Sequence, residues 1–389
     1  MPDLHVFIAG VSEYVNLPDA NSPTPLPPTA FGLCKLASPA LSAFCFYQWL
    51  QNNRGRLSHN LKFCRLLLSP SGTELAADAD LHAAQQAGNV FQTCSLANFL
   101  QAADDWRKSA SSNRDDMAWF FFSGHGVERT HDDAVMLLDE FGQGLGGALI
   151  NAVDLKTLFY GMAPSASYPE IARRQLYFVD ACRMLPNEFK KIEQQNTSQV
   201  FQVELPAPDD RVAPTFMSAI SGAAALGFSG RPSFFSDLLI KCLNRTGATS
   251  NQDDTGAVTW AITTDGIRRA LKDSYDSWRD AGLDVNFTPS GLLREELKLL
   301  NLDGRPDVEV RIQIDPIDAL PFATLSVTDM ATQLQLSISQ FTGNPTFALW
   351  PAGYYRIEFQ VQPNPVYRSP PFWFSPIEPP RPTIRGRMT

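Results

Sequence analysis

The chain has 389 residues, a formal net charge of −9 and 44% apolar residues. That length suits two domains, and the apolar share is enough for a large core. A pI near 5.1 and the lack of any basic stripe exclude broad binding to nucleic acid or to an anionic membrane surface.

The opening MPDLHVFIAG has no basic n-region and no long apolar run, so no signal peptide is expected. No segment approaches the ~20 apolar residues of a membrane span. The cysteines Cys34, Cys45, Cys64, Cys94, Cys182 and Cys242 are scattered, with no CxxC pair. Neither a zinc site nor a disulfide framework is expected, and a reducing cytoplasm suits them best. Asn196-Thr-Ser and Asn286-Phe-Thr match the glycosylation pattern but mean little without a secretion signal.

Residues 5–11 (HVFIAGV) predict a first strand. Ser38-Pro39 reads as an N-cap with Pro at N1, opening a helix through Leu50. LKFCRLLL (61–68) predicts a second strand. Ser95 caps a helix whose Leu96, Phe99, Leu100, Ala103 and Trp106 share one face. Ala118–Phe122 is an uncharged aromatic run bounded by Ser123-Gly124, the pattern of a strand buried on both sides. It delivers a single histidine, His125, between two glycines.

AVMLLD (134–139) predicts a short strand and NAVDLKTLF (151–159) a helix. RQLYFVD (174–180) is another buried strand, running into Ala181-Cys182-Arg183. The polar segment 187–213 has no period. PTFMSAIS (214–221) predicts a strand, PSFFSDLLIKCL (232–243) a helix, and 245–256 a polar loop. Ile267, Ala270, Leu271, Ser274, Tyr275 and Trp278 mark one helical face. Apolar strands alternating with helices give an α/β fold: a mostly parallel sheet with helices on both faces.

Past Gly304 the pattern changes to alternation: VEVRIQI, ATLSVTD, LQLSIS, TFALW, YYRIEFQV. This predicts a C-terminal antiparallel β-sandwich over 307–375, following an α/β domain over 1–303. The Pro- and Arg-rich tail, 376–389, is expected to be disordered.

In open α/β sheets function gathers at the carboxyl ends of the strands. Two strands here end on reactive groups, His125 and Cys182. A thiol beside an imidazole gives a nucleophile near pH 7, and the imidazolium then protonates the leaving amine. The N–H groups of Gly126 and Cys182 are the candidate oxyanion donors. Taken alone, Cys182 would read as a small core residue, and His125 as a structural histidine. Glu128 and His131, in the charged loop VERTHDD, read as solvated. His5, His59 and His82 show no partner pattern.

SGHG after an apolar strand, then Asp180-Ala-Cys-Arg after the next long strand, resembles the caspase and metacaspase clan of cysteine peptidases. The 57 residues from His125 to Cys182 compare with ~50 in caspases. The resemblance covers roughly residues 5–300 and implies a caspase-like sheet, Cys182 as nucleophile and His125 as general acid and base. The residue two before the cysteine lines the S1 pocket in this clan. An acid there goes with cleavage after Arg or Lys, so Asp180, with Ser218 beside it, implies a basic P1 residue held by a charge-assisted contact. Asp180 could instead cap the following turn.

The chain departs from the clan in two ways. Met184 stands where caspases have Gly. The caspase pocket arginine has no counterpart in 223–230, and Arg231 is out of register. Members of the clan are often zymogens cut after the nucleophile strand. Lys190, Lys191 and Arg211 in 187–213 are the candidate processing sites, cut by the enzyme itself or by an activating protease. No cofactor and no metal is expected. Calcium regulates some metacaspases, but no ligand cluster here supports an ion. Protein or peptide substrates are the implied partners, with a prokaryotic defence or cell-death pathway as the setting.

Two other readings stay open. One is a catalytically silent scaffold acting in protein–protein interaction. The other is a nucleotide-binding oxidoreductase, because Gly142-Gln-Gly144-Leu-Gly-Gly147 matches G-x-G-x-x-G. Asp180 lies 33 residues past that last glycine, against ~20 for a ribose-binding acid, so a Gly-rich loop is the preferred reading.

Overall fold

A computed structural model describes residues 1–19, 30–128, 134–142, 149–181, 197–204, 208–218, 229–252, 257–282, 287, 289–292, 294–362 and 366–389. The chain divides into two compact units. One is Met1–Ile240 with Tyr275–Leu297, the other Lys241–Ser274 with Lys298–Thr389.

The first elements in chain order are β1 (Asp3–Val11), α1 (Pro39–Asn52), β2 (Asn60–Ser69), α2 (Gly72–Ala77), α3 (Ala79–Ala87), α4 (Leu96–Ser109) and β3 (Met117–Gly124). Next come β4 (Gly126–Val127), β5 (Val135–Leu137), β6 (Ala152–Asp154), α5 (Leu155–Gly161), β7 (Arg174–Ala181), β8 (Ala213–Met217) and α6 (Phe234–Lys241). They are followed by β9 (Ala248–Gln252), β10 (Val258–Thr263), α7 (Thr264–Asp280), β11 (Ser290–Leu292) and β12 (Lys298–Leu302). The last group is β13 (Asp307–Asp315), β14 (Ala323–Asp329), β15 (Gln335–Ile338), β16 (Thr346–Pro351), β17 (Gly353–Val361), β18 (Trp373–Ile377) and β19 (Thr383–Arg387).

The first unit is built on a six-stranded sheet of order β11-β8-β7-β3-β1-β2, parallel except for β11. Every residue of β3 is buried, because helices cover both faces of the sheet. On one face Phe46 of α1 stacks on Phe121 at 4.7 Å, and Trp49 lies 6.5 Å from Trp119. On the other, Trp106 of α4 packs against Phe120 and Phe7, both 6.1 Å away. Phe99, Ala102, Ala103 and Trp106 form the buried stripe that docks α4, and the Ser95 hydroxyl caps it by accepting from Asn98 N.

The expected strands at 5–11, 61–68, 117–122 and 174–180 are all present, each a residue or more longer. Four details differ. Residues 151–154 are not helical: Ala152–Asp154 pairs with β5, and the Asp154 carboxylate caps α5 by accepting from Lys156 N. The Ser38 hydroxyl does not cap α1; its carbonyl instead accepts from the Ser42 hydroxyl at 2.8 Å. The polar segment 245–256 contains β9. Glu128 is buried rather than solvated, at 3% exposure.

In the second unit, β10 pairs antiparallel with both β9 and β12. That pairing, Trp260 opposite Leu302, puts residues 241–274 with the C-terminal unit, so the expected boundary at 303/307 falls inside it. The rest is a sandwich of two sheets, β16-β13-β19 and β15-β14-β17-β18. Val308, Val310, Ile312 and Ile314 face inward from one sheet; Leu325, Val327, Tyr355, Ile357 and Phe359 face inward from the other.

The tail is a correction. Residues 383–387 form β19, paired parallel with β13, so the sandwich is not wholly antiparallel. Ile384 and Met388 are buried, and the absence of a side chain at Gly386 admits the Phe359 ring. Proline-rich flanks hid a strand whose inward residues are few and separated. No helix among the described residues is long and apolar enough to cross a membrane.

At Gly10 α1 packs directly on the backbone of β1. A Cβ there would lie 2.6 Å from Ala43 Cβ and 2.9 Å from Ala40 Cα. Gly10→Ala is expected to destabilise the first unit by about 1–3 kcal/mol, the usual range for overpacking, measured as a fall in the urea midpoint with m unchanged.

Candidate active site

β3 and β7 run side by side with their carboxyl ends flush. Ser123 is opposite Asp180 and Gly124 opposite Ala181. His125 follows the first strand by one residue, and Cys182 follows the second by one residue in the sequence. Cys182 itself lies outside the described residues, as do Lys190 and Lys191.

His125 is buried at 8% exposure. Its Nε2 lies 2.7 Å from the carbonyl oxygen of Cys34. A carbonyl only accepts, so this contact assigns the proton to Nε2 and leaves Nδ1 with its lone pair. Burial pulls the imidazole down to about 4, with the Cys34 carbonyl opposing. The ring is therefore neutral at physiological pH. The Cys34 carbonyl is held by its neighbours: Lys35 N donates to Pro18 O and Leu36 N to Ser12 O, both at 2.9 Å. The backbone N–H of His125 donates to the Tyr14 hydroxyl at 2.7 Å. Neither Tyr14 nor the Cys34 carbonyl was visible in the sequence, since no local pattern marks a backbone carbonyl as a partner.

Asp180 is 4% exposed. Its Oδ2 accepts from the Ser123 hydroxyl at 3.0 Å, from Ser236 at 3.1 Å, and from Ser233. Burial pushes its carboxyl up, and the hydroxyls of Ser233, Ser123, Ser218 and Ser236 pull it back. Among the described residues, no cation pairs with it. Ser233 also caps α6, accepting from Ser236 N at 3.1 Å. The Ser233-Phe-Phe-Ser236 spacing before an apolar helix is a capping signal that could have pointed to this pair. Ser218 is buried at the end of the next strand, and its N–H donates to Val179 O at 3.0 Å. Gly126 opens β4, opposite Met136.

Arg211 is a correction. Its side chain is fully buried, forks onto Asp209 through Nε and Nη2, and donates to Phe159 O and Gln175 Oε1. A residue held this way is not presented to a protease, because cleavage needs the P1 side chain free to enter another pocket. The sequence marks it as a candidate processing site in the polar segment 187–213; the fold uses it to anchor the start of β8.

The other cysteines are free, and burial holds them as thiols: Cys45 at about 11, Cys64 and Cys242 at about 12, with Cys34 and Cys94 also raised. Cys34, Cys45 and Cys64 are part-buried, and Cys94 and Cys242 are buried. His5 has partners after all. It bridges Ser109 Oγ at 2.9 Å and Asp116 at 3.1 Å, and so ties the start of β1 to the end of α4. Of the glycine motif, residues 143–147 lie outside the described residues, as does His131.

The caspase domain of peptidase family C14 matches residues 57–266, more than half of the chain. The chain belongs to this family of cysteine peptidases. Two solved structures are similar at low identity. Protein GSU0716 from Geobacter sulfurreducens is 13% identical with a TM-score of 0.37, and the match covers 78% of this chain and 95% of that one. The Bacillus anthracis TIE protein is 10% identical with a TM-score of 0.18, covering 36% and 24%. No curated protein matches the chain.

An imidazole held at about 4 in the fold and near 6.5 when unfolded takes up its proton more readily in the unfolded chain. Its contribution to stability is fully present above about pH 6.5 and is lost as pH falls toward 4. NMR of the His125 ring is expected to show the neutral Nε2–H tautomer down to about pH 4. A ring titrating near 6.5 would refute the burial argument.

Proposed function

We propose that the protein is a cysteine endopeptidase that cleaves after Arg or Lys through Cys182 and His125. The observation that carries this reading is the flush pairing of β3 with β7, Gly124 opposite Ala181, with the histidine next in one strand and the cysteine next in the other. The neutral ring, with its proton on Nε2 and a lone pair on Nδ1, supports it, as does the burial that raises the thiols of Cys45, Cys64, Cys94 and Cys242.

The resting pair is thiol and neutral imidazole. As Cys182 Sγ attacks the substrate carbonyl carbon, its proton passes to His125 Nδ1. The Cys34 carbonyl stabilises the imidazolium that forms. The N–H groups of Gly126 and Cys182 receive the developing oxyanion, each such donor being worth about 3–4 kcal/mol. The tetrahedral species collapses, the C–N bond breaks, and the leaving amine takes the proton from His125. Water, deprotonated by the same ring, then attacks the thioester, releasing the acid and regenerating the thiol.

Asp180 sets the preference for a basic P1 residue. Among the described residues this buried carboxylate meets hydroxyls and no cation, and burying an unpaired charge is costly. An entering guanidinium supplies that charge, and serine hydroxyls rotate aside at little cost. Ser218 lines the same pocket. Processing at Lys190 or Lys191 activates the enzyme, in a cytoplasmic bacterial defence or cell-death pathway; a double Lys→Ala variant would then stay single-chain and inactive.

Paired fluorogenic peptides with P1 Arg and P1 Asp test the reading, before and after limited nicking. The wild type is expected to cleave after Arg, and Cys182→Ala and His125→Ala to lose cleavage. Asp180→Asn is expected to lose about 10- to 100-fold in kcat/KM for Arg, the value of one charge-assisted contact, while Cys182 stays reactive to iodoacetamide. Cleavage after Asp would overturn the pocket and keep the dyad. An unreactive Cys182 with no cleavage would leave the chain a scaffold.

A further inference from the structure

Residue 125 interrupts an otherwise continuous strand: β3 ends at Gly124 and β4 starts at Gly126. Facing it, β5 ends at Leu137, one past Met136, the partner of Gly126. In a closed antiparallel pair, residues 125 and 137 would exchange two backbone hydrogen bonds. Only one is made directly, from Leu137 N to His125 O at 3.0 Å. The other is replaced by a hydroxyl. His125 N donates to Tyr14 Oη at 2.7 Å, and Tyr14 Oη faces Leu137 O at 3.5 Å. The phenol is wedged into the ladder at the one residue where the strand breaks.

The wedge is itself fixed. Tyr14 is fully buried, its carbonyl accepts from Leu17 N at 3.1 Å, and Val15 N donates to Asp139 O at 2.9 Å. Its ring lies 4.9 Å from the imidazole. Space for the hydroxyl depends on Gly124, where a Cβ would lie 3.0 Å from both Tyr14 Oη and Phe122 Cζ. The glycine before the histidine thus has a reason in packing.

We propose that Tyr14 is a positioning residue for the peptidase reaction. Its hydroxyl holds the backbone of His125 out of the ladder, so that the ring reaches the Cys34 carbonyl through Nε2 and keeps Nδ1 for the thiol. This rests on the reading of His125 as the base. Without the hydroxyl, His125 N–H closes directly on Leu137 O, and the ring is drawn away from Cys34.

The test uses the full chain as wild type, Tyr14→Phe, His125→Ala and the double variant. Two quantities are measured: kcat and KM on a P1-Arg peptide, and the pH profile of Cys182 alkylation by iodoacetamide, followed on the peptide that contains it. Tyr14→Phe is expected to lower kcat about tenfold with KM unchanged, the scale of one buried hydrogen bond. It should also shift the alkylation profile toward that of His125→Ala, and in the His125→Ala background it should add nothing. An alkylation profile for Tyr14→Phe identical to wild type, or an equal loss in both backgrounds, would overturn the proposal and leave the base intact. A wild-type profile in His125→Ala would instead sink the reading of the base, and this proposal with it. Should Tyr14→Phe not fold, Gly124→Ala presses on the same hydroxyl and takes its place, with the same outcomes.

Discussion

The parallel pairing of β3 with β7 is the constraint on which the rest depends. Both strands are buried on both faces, so neither can slip by a residue without turning aromatic rings into the wrong helix layer. Phe121 and Phe178 must face α1, and Phe120 and Tyr177 must face α4. Once that register is set, Ser123 meets Asp180 and Gly124 meets Ala181. The carboxyl ends of the two strands, Gly124 and Ala181, are thus set by packing in the body of the sheet. A rigid sheet presenting loops at its carboxyl edge is the general solution for such sites.

Two buried carboxylates lie near that edge and contrast usefully. Glu74 accepts from the backbone N–H groups of Leu41 and Ser71 and from the hydroxyls of Ser12 and Ser71, all between 2.8 and 2.9 Å. Backbone donors cannot turn away, so Glu74 is a permanent tie between β1, α1 and α2. Among the described residues, the hydrogen bonds to Asp180 come from the serine hydroxyls of Ser123, Ser233 and Ser236. Hydroxyls rotate freely, so this carboxylate can exchange partners without disturbing the backbone. Both are pushed up by burial, but the donors around Glu74 include fixed backbone N–H groups whereas those around Asp180 are side-chain hydroxyls.

The same logic separates the two arginines that matter in the first unit. Arg211 spends its donors on Asp209, Gln175 and the Phe159 carbonyl, with its plane 4.7 Å from the Phe159 ring centre. Arg107 lies 4.0 Å from the Phe201 ring and 4.5 Å from that of Tyr168, and Phe201 fills the space left by the bare Cα of Gly161. Residues 197–204 and 208–213, polar and without period in sequence, are thereby fastened to α4 and α5. Arginine serves here as packing surface as much as charge.

The sequence by itself determined the parts that obey a period or a short motif. The apolar strands, the capped helix after Ser95, the alternation after Asp307 and the carboxyl ends of β3 and β7 were legible, because burial on one or both faces imprints a local pattern. The strand at 383–387 was not, since its prolines and arginines mask two buried residues. Only the tertiary structure decided the histidine's surroundings. Tyr14 and Cys34 lie 111 and 91 residues from His125, and one of the two contributes only a backbone carbonyl, which every residue possesses. The same holds for Arg211: the sequence marks it as a candidate processing site, and only the fold supplies the carboxylate, amide and carbonyl that bury it. Contacts at such separations leave no trace in spacing or composition, because what selects them is the geometry of the finished sheet.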